Sequence, residues 1–430
     1  MAELSTYHLE VYGCQMNVHD SEIIAGILEG AGMLPAPSAE AADLILIVTC
    51  AVRESAETRA MGRASQLCGL KNDHGATIVG VCGCIAQEHG SALLERIPGL
   101  DFVVGPDMYH RLPEILQDPM GVAATGFSAT GYDDVKAVRR DFPRAFVTVM
   151  RGCNNYCTYC IVPYVRGRER SRPVDAVLDE VGGLAAEGYG EITLLGQNVN
   201  SYRDGDVGFP RLLTMVADRA APAWIRFVTS HPRDFGPDLA RAMASRSNIC
   251  PMLHLPAQSG SNEVLASMGR GYTVEEYLEK IRFARAEVPK LVLSTDIIAG
   301  FPGETRRDFM ETEALLRKVR FDYAFLFRYS ERRGTKAAGL RPAVPVELRL
   351  ERLQRLQAIQ RKITLERSSA LVGNRMEVLI TGSARKEGQQ AARSPGNRMV
   401  VLEGTDFPKG SRVMVEIYRA DGWTHFGRVV

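Results

Sequence analysis

Arg151-Gly152-Cys153-Asn154-Asn155-Tyr156-Cys157-Thr158-Tyr159-Cys160 carries three thiols in the pattern Cys-x3-Cys-x2-Cys. Closely spaced thiolates of this kind suit an iron-sulfur cluster, which is held by cysteine sulfurs. A closed electron-transfer cluster or a structural zinc takes four protein ligands. Three leave one iron with an open position, at which a small molecule can bind and be reduced. The plainer alternative is a buried cysteine, since cysteine is among the residues most often found in cores. Interleaving with Asn154, Asn155, Thr158 and two tyrosines makes this a polar loop with no reason to enter an apolar core.

Working outward, the loop follows a strand-like run, Phe146 to Met150, that opens a long alternation of strands and helices. Further runs lie at Glu191 to Leu195, Trp224 to Val228, Met252 to Leu255, Leu291 to Ile298 and Tyr323 to Phe327. Helical segments such as Asp175 to Glu187 and Glu304 to Arg320 separate them. Six β/α units predict a partial (β/α)6 barrel with ligands at the carboxyl ends of its strands, where the cysteine loop sits. The same rim carries Leu195-Gly196-Gln197-Asn198, Pro256-Ala257-Gln258-Ser259-Gly260-Ser261 and Ala299-Gly300-Phe301-Pro302-Gly303-Glu304. Tyr159, Gly196, Gln197, Gln258, Ser259, Gly300 and Pro302 are the expected cofactor contacts, although each segment alone reads as an ordinary βα turn. Arg166, Arg168, Arg170 and Arg172 follow the loop directly, a density of bidentate phosphate donors that also suits a solvated surface. Ser230-His231-Pro232-Arg233 ends the third strand and offers polar contacts to a substrate.

The first hundred residues alternate in the same way: His8 to Tyr12 then Asp20 to Gly32, Leu44 to Val48 then Glu54 to Leu67, Thr77 to Val81 then Ala86 to Arg96. This predicts an open α/β parallel-sheet domain. Each of the three strands runs into a cysteine, Cys14, Cys50 or Cys84. Ligands gather at the carboxyl ends of such strands, so the three are candidates for a second cluster. Cys82 stays open as an alternative to Cys84, because a strand period of two points both the same way. Cys68 and Cys250 read as structural.

Residues 118 to 142 are rich in Gly, Ala and Asp and read as a linker or an edge hairpin. A charged helix is expected over 347 to 369. Short β segments at Met376 to Thr381, Arg398 to Leu402 and Arg412 to Tyr418 then predict a small all-β barrel. From Ser368 onward nine basic residues stand against six acidic ones, a modest excess that fits an RNA-binding accessory domain. The expected division is 1–125, a 126–142 linker, 143–367 and 368–430. The chain has 430 residues, 45% hydrophobic and 24% charged, with a formal charge of +1, as in a soluble globular protein. No basic head precedes an apolar run near Met1 and no stretch suits a membrane helix, so a cytoplasmic location without membrane contact is expected. Nine cysteines there read as ligands or buried thiols rather than disulfides.

These features together resemble the methylthiotransferase family of radical-SAM enzymes over nearly the whole chain. The resemblance rests on the Cys153–Cys160 loop, Gly13-Cys14-Gln15-Met16-Asn17, Arg166 to Arg172, Leu194 to Asn200, Ser230-His231-Pro232, Pro256 to Ser261 and Gly300 to Thr305. Gly269 and Val48 depart from it, each standing where the family usually shows Asn. The resemblance implies a C-terminal TRAM-type domain and two 4Fe-4S clusters, one on Cys153, Cys157 and Cys160 and one on Cys14, Cys50 and Cys84. It implies reductive cleavage of S-adenosyl-L-methionine (SAM) and transfer of a methylthio group, with no catalytic side chain beyond the cluster ligands. The implied substrate is carbon 2 of N6-isopentenyladenosine at position 37 of a tRNA anticodon stem-loop, with Arg166, Arg168, Arg170 and His231 as its contacts. An electron donor such as flavodoxin or ferredoxin, and proteins that deliver iron-sulfur units or sulfur, are implied partners. Two other readings stay open: a sister methylthiotransferase acting on threonylcarbamoyladenosine or on a ribosomal-protein aspartate, and a non-catalytic iron-sulfur RNA-binding protein.

Overall fold

The computed structural model describes residues 4–52, 54–74, 77–128, 131–404 and 406–430. The chain divides into two units. One comprises Met1–Arg140, Arg151–Asn154 and Cys160–Arg170; the other comprises Asp141–Met150, Asn155–Tyr159 and Ser171–Val430.

In the first unit, β1 (Thr6–Tyr12), β2 (Leu34–Pro35), β3 (Leu44–Thr49), β4 (Ile78–Gly83), β5 (Phe102–Val104) and β6 (Val122–Ala124) form a parallel sheet in the order β2-β1-β3-β4-β5-β6. The unbroken apolar run of β3 reflects burial on both faces. Leu44, Leu46 and Val48 pack with Ile23, Ile24 and Leu28 of α1 (Gln15–Gly30). Ile45 and Ile47 pack with Ala60, Ala64 and Leu67 of α2 (Glu54–His74). The two-residue β2 and three-residue β5 and β6 are too short to leave a periodic pattern in the sequence. Val122–Ala124 pairs parallel with β5 as an edge strand, so no hairpin forms there. The chain beyond it returns to α1: Val138 N donates to Glu22 O at 3.0 Å, and Arg139 pairs with the buried Glu22 carboxylate.

In the second unit, Arg144–Thr148, Glu191–Leu195 and Trp224–Phe227 form one parallel sheet, and Met252–His254, Val292–Ala299 and Tyr323–Arg328 another. A parallel bridge between Ile225 and Ile249 links them, so the six strands follow one another around an arc in chain order. Ile192, Leu194, Ile225, Phe227, Leu253, Leu293 and Ile297 enter a core shared with the surrounding helices. The alternate residues of each strand line the inside of the partial barrel.

Helix Val346–Ser369 packs Leu356, Ile359 and Ile363 into that core and leads to a closed five-stranded barrel. Its strands run Arg375–Ser383, Gln389–Arg393, Met399–Glu403, Thr424–Val429, Arg412–Asp421 around the barrel. The strand at Gln389-Gln390-Ala391-Ala392-Arg393 is weakly apolar, which hid it from the sequence pattern. This small barrel is built onto the amino ends of the large barrel's strands. Arg226 donates to Ser394 O at 2.7 Å and to Pro395 O, Arg412 donates to Gly190 O at 3.3 Å, and Trp423 stacks on Tyr323 with centroids 4.7 Å apart. No helix among the described residues is long and apolar enough to cross a membrane.

Candidate iron-sulfur and cofactor site

Cys14, Cys50 and Cys84 follow β1, β3 and β4, which are adjacent in the sheet. Cys14 stands at the start of α1, where its backbone N–H donates to Asn17 Oδ1 at 3.2 Å and Asn17 Nδ2 donates to Thr49 O at 2.8 Å. Asn17 thus ties the end of β3 to the start of α1. Gly13 is required by space: a Cβ there would lie 2.5 Å from Cys50 Cβ and 2.3 Å from Asn17 Oδ1. The Cys14 and Cys50 thiols are hydrogen-bonded to each other. That bond, the Arg166 guanidinium and the N–H groups of Asn17 and Met16 bring the Cys14 thiol down to about 6. The same bond and burial push Cys50 up, and burial raises Cys84. Three thiols at adjacent strand ends, one of them with surroundings that favour its ionised form, suit a metal ligand set.

Arg166, four residues short of the end of the first unit's last segment, is 3% exposed. Its Nη2 lies 2.5 Å from Asp20 Oδ2 and its Nε 3.2 Å from Cys84 Sγ. The guanidinium expected to meet phosphate is therefore spent inside the protein. Arg170 is likewise held by Asp107 at 2.7 Å and by Ser128 O, whereas Arg168 is exposed. The strand period also misled for Cys82. Strand β4 ends at Gly83, whose φ of +98° turns the chain so that Cys84 opens α3 (Cys84–His89). Cys82 consequently packs with Val48 and Phe102 in the core under α1, and Cys84 packs on the opposite face with Ile85 and Val81. Only Cys84 interacts electrostatically with Cys14 and Cys50.

The cysteine loop is divided between the units. In the first, Gly152 has φ +79°, and a Cβ would sit 2.0 Å from Arg168 O, while Cys153 N donates to Gly167 O at 3.1 Å. We expect Gly152→Ala to lose one cluster's iron although all six candidate ligands remain, because no side chain fits that turn. Iron analysis of reconstituted protein checks this; full iron content would show that the loop tolerates rearrangement.

In the second unit, Arg270 donates to Cys157 Sγ at 3.3 Å, to Tyr159 OH at 3.4 Å, to Pro256 O at 2.9 Å and to Tyr272 OH at 3.1 Å. Tyr159 packs beside Phe301 and Met268. Among the expected contacts, Gly196 adjoins Met150, Gly300 N donates to Glu304 Oε1 at 3.0 Å, and Pro302 is buried. Ser259 is turned inward, its Oγ 3.3 Å from Thr312 Oγ1. Gln258 keeps a buried Oε1 without a partner and holds φ +69°, a strained conformation of the kind that collects at functional sites. Ser230 Oγ and His231 Nε2 are orphaned in the same way, just after Thr229 at φ +71°. Asn198 and Asn200 hold the His231 backbone N–H at 3.1 and 2.9 Å. Sequence reading missed Arg270, Tyr272 and these two asparagines as site residues, although all four lie within or beside the segments that carry the family resemblance. Gly269, where Asn is usual, has φ +69°, which both residues tolerate; Val48 is wholly buried.

Burial, with Arg270, Arg233 and Lys280 near, lowers His231 to about 2, and Arg233 N donates to its Nδ1 at 3.2 Å. The neutral ring therefore carries its proton on Nε2, aimed at no protein partner. His425, hydrogen-bonded to Ser368, is lowered to about 4 by burial. For both, the folded state binds fewer protons than the unfolded below 6.5. Stability is complete above that value and falls as pH drops through it toward 4, by about 1.4 kcal/mol per pH unit and histidine. Denaturant titrations across this window check the sign, and His231→Gln should flatten the dependence; an unchanged slope would remove His231 from the account.

Residues 147–316 match the Radical SAM superfamily, 6–105 the Uncharacterized protein family UPF0004 and 369–430 the TRAM domain. The chain is 46% identical over 428 residues to the tRNA-2-methylthio-N(6)-dimethylallyladenosine synthase of Carboxydothermus hydrogenoformans, covering 97% of each chain. It is also 46% identical to that of Geotalea uraniireducens, covering 96% of each. The chain belongs to the tRNA-2-methylthio-N(6)-dimethylallyladenosine synthase family. Its fold is shared with the radical S-adenosylmethionine methyltransferase TsrM from Kitasatospora setae, at a TM-score of 0.59 and 14% identity, covering 90% of this chain and 77% of that one. The cobalamin-dependent S-adenosylmethionine radical enzyme OxsB matches at 0.53 and 14%, covering 83% and 56%. Like other members of the synthase family, the chain is a radical-SAM transferase, and its cofactors are SAM and two 4Fe-4S clusters. Among the described residues no three His, Cys, Asp or Glu side chains close on a single point as around one ion. A four-iron cluster does not ask for that, because each thiolate binds a different iron.

Proposed function

We propose that this chain transfers a methylthio group to carbon 2 of N6-isopentenyladenosine at position 37 of tRNA. The observation that carries the reading is the set of three thiols at the ends of adjacent strands, on the same chain as a second three-cysteine loop. Cys153, Cys157 and Cys160 would hold the SAM cluster, and Cys14, Cys50 and Cys84 the auxiliary one. When bound, these groups supply the electron that cleaves SAM and the sulfur that is transferred. The protein's own work is placement. Arg270 fixes the Cys157 thiol, and the unpaired His231 Nε2–H, Gln258 Oε1 and Ser230 Oγ offer one donor and two acceptors to a polar ligand at the rim. Asn198 and Asn200 keep His231 in place.

The small barrel supports RNA contact. Arg393, Arg398 and Arg412 face the large barrel, so the basic excess that meets solvent is carried by others, among them Arg419 and Arg428. Arg419 lies over Phe426 at 3.6 Å and Arg428 over Tyr418 at 5.0 Å. Cations spread on aromatic faces suit a phosphate backbone with bases beside it. Replacing either with Ala should weaken tRNA binding whatever the sequence and reduce the salt slope by about 1. Binding titrations over a salt series check it; an unchanged slope would place the RNA elsewhere. Arg168 is the further phosphate contact. The division at 125, 142 and 367, a cytoplasmic setting, a flavodoxin- or ferredoxin-like donor and sulfur-delivery proteins belong to the same proposal.

The test is mass spectrometry of nucleosides from isopentenylated tRNA incubated with reconstituted protein, SAM and a strong reductant. A 2-methylthio-N6-isopentenyladenosine peak is expected. Formation of 5′-deoxyadenosine without that peak would move the substrate to a sister enzyme's; absence of both would favour a non-catalytic RNA-binding protein.

A further inference from the structure

Inside the large barrel lies a group of side chains that neither the clusters nor the rim contacts use. On the strand Val292–Ala299, Leu293, Ile297 and Ala299 enter the outer core, so Ser294, Asp296 and Ile298 face inward. His254 likewise faces inward between the core residues Leu253 and Leu255. Its Nδ1 is 2.9 Å from Ser294 Oγ and its Nε2 is 3.5 Å from Asp296 Oδ2. The first contact is a hydrogen bond that fixes the ring, and the second sets its edge beside the half-buried Asp296 carboxylate. The next strand sets Phe325 in register with Asp296 and Phe327 with Ile298. Phe325 meets the His254 ring edge to face at 5.9 Å. Yet Phe325 and Phe327 remain 44% and 37% exposed, a large apolar area for inward-facing positions of a barrel.

The chemistry of this place is a hydrogen-bond acceptor with an aromatic shelf directly beside it. A secondary exocyclic amine has the matching pattern: one N–H and one apolar chain on the same nitrogen. We infer that Asp296, beside His254, accepts the N6–H of the target adenine, and that Phe325 and Phe327 seat the isopentenyl chain on that nitrogen. The inference rests on the proposed reaction and deepens it by naming the groups that read the modified base. A carboxylate at this point also rejects a base with a 6-oxo group, which places acceptor against acceptor. The aromatic pair supplies preference for the prenylated over the unmodified base, since five apolar carbons lose their cover when it is removed. Asp296 and His254 are positioning residues and take no part in bond making.

The experiment compares isopentenylated and unmodified anticodon stem-loop RNAs on reconstituted protein, reading both Kd and steady-state methylthiolation. Wild type, Phe325→Ala/Phe327→Ala, Phe325→Leu/Phe327→Leu and Asp296→Asn are run side by side, with iron content and melting temperature as controls for folding. Wild type should prefer the prenylated RNA, and the double Ala variant should lose about tenfold or more of that preference by weakening the prenylated RNA alone. The double Leu variant, which keeps apolar cover, should retain most of it. Asp296→Asn should raise KM for the prenylated RNA more than it lowers kcat, because a charged acceptor becomes a neutral group. An undiminished preference in the double Ala variant, or equal weakening of both RNAs in both double variants, would overturn the inference. If wild-type protein makes no methylthio product from the prenylated RNA, the proposed reaction itself fails and the inference falls with it; the wild-type reaction alone separates that case from the others.

Discussion

Asp20→Ala is expected to destabilise the first unit by about 3–5 kcal/mol and to strip its auxiliary iron. The carboxylate is wholly buried and bonds Arg166 through both oxygens, at 2.5 and 3.2 Å, with Tyr109 OH 3.4 Å away. Removing it leaves a guanidinium that is 3% exposed with no carboxylate partner, and an uncompensated buried charge is among the costliest lesions a core can carry. The second loss follows from position. Arg166 also touches Cys84 Sγ and helps hold the Cys14 thiol low, so a displaced guanidinium disturbs two of the three candidate ligands. Asp20→Ala/Arg166→Met distinguishes the effects. Removing both charges should return much of the stability while leaving iron affinity impaired, because the apolar side chain restores packing and not the electrostatic influence on the thiols. Melting curves and iron analysis on the three proteins decide it. Full iron in the double variant would show that Arg166 serves folding alone.

The largest effects on activity should come from the two sets of cysteines, and they should differ in kind. Replacing Cys153, Cys157 and Cys160 with Ala should abolish 5′-deoxyadenosine formation and product together, a loss of roughly 10⁶-fold or more if activity falls to the uncatalysed level. Replacing Cys14, Cys50 and Cys84 should abolish the methylthio product while SAM cleavage persists, because the sulfur to be transferred is then missing. Within the second set, Cys84→Ala alone should cost one cluster's iron and Cys82→Ala none, since Cys82 lies in the core under the other face of the sheet. Unchanged iron in Cys84→Ala would overturn the assignment of that ligand.

The fold was legible in the sequence wherever burial left a period. The apolar run of β3 and the six barrel strands announce themselves because both faces, or one face in strict alternation, are covered. The strands Leu34–Pro35, Phe102–Val104 and Val122–Ala124 are too short to show a period, and Gln389–Arg393 is too polar. The candidate ligands stand out in the sequence because three closely spaced thiols in a polar loop, and a thiol at each of three strand ends, have few other uses. The fate of the arginines was not legible. Arg166 and Arg168 are indistinguishable in a string of letters, and only the fold reveals that one meets Asp20 and the other water. Arg270 escaped for the same reason: its partners Cys157 and Pro256 are 113 and 14 residues away in the chain.

Arg226 holds the backbone of Ser394 and Pro395, and Gly396 sits against Val292 so closely that a Cβ would lie 2.6 Å from its Cγ2. The small barrel is thus a stopper in the amino end of the large one. A floor at that end would keep water and small reductants from entering the large barrel from below. A chain ending after Ser369 would lose a floor as well as a grip on RNA. Its signature would be SAM consumed without product even when substrate is saturating, a leak that weakened RNA binding alone cannot cause.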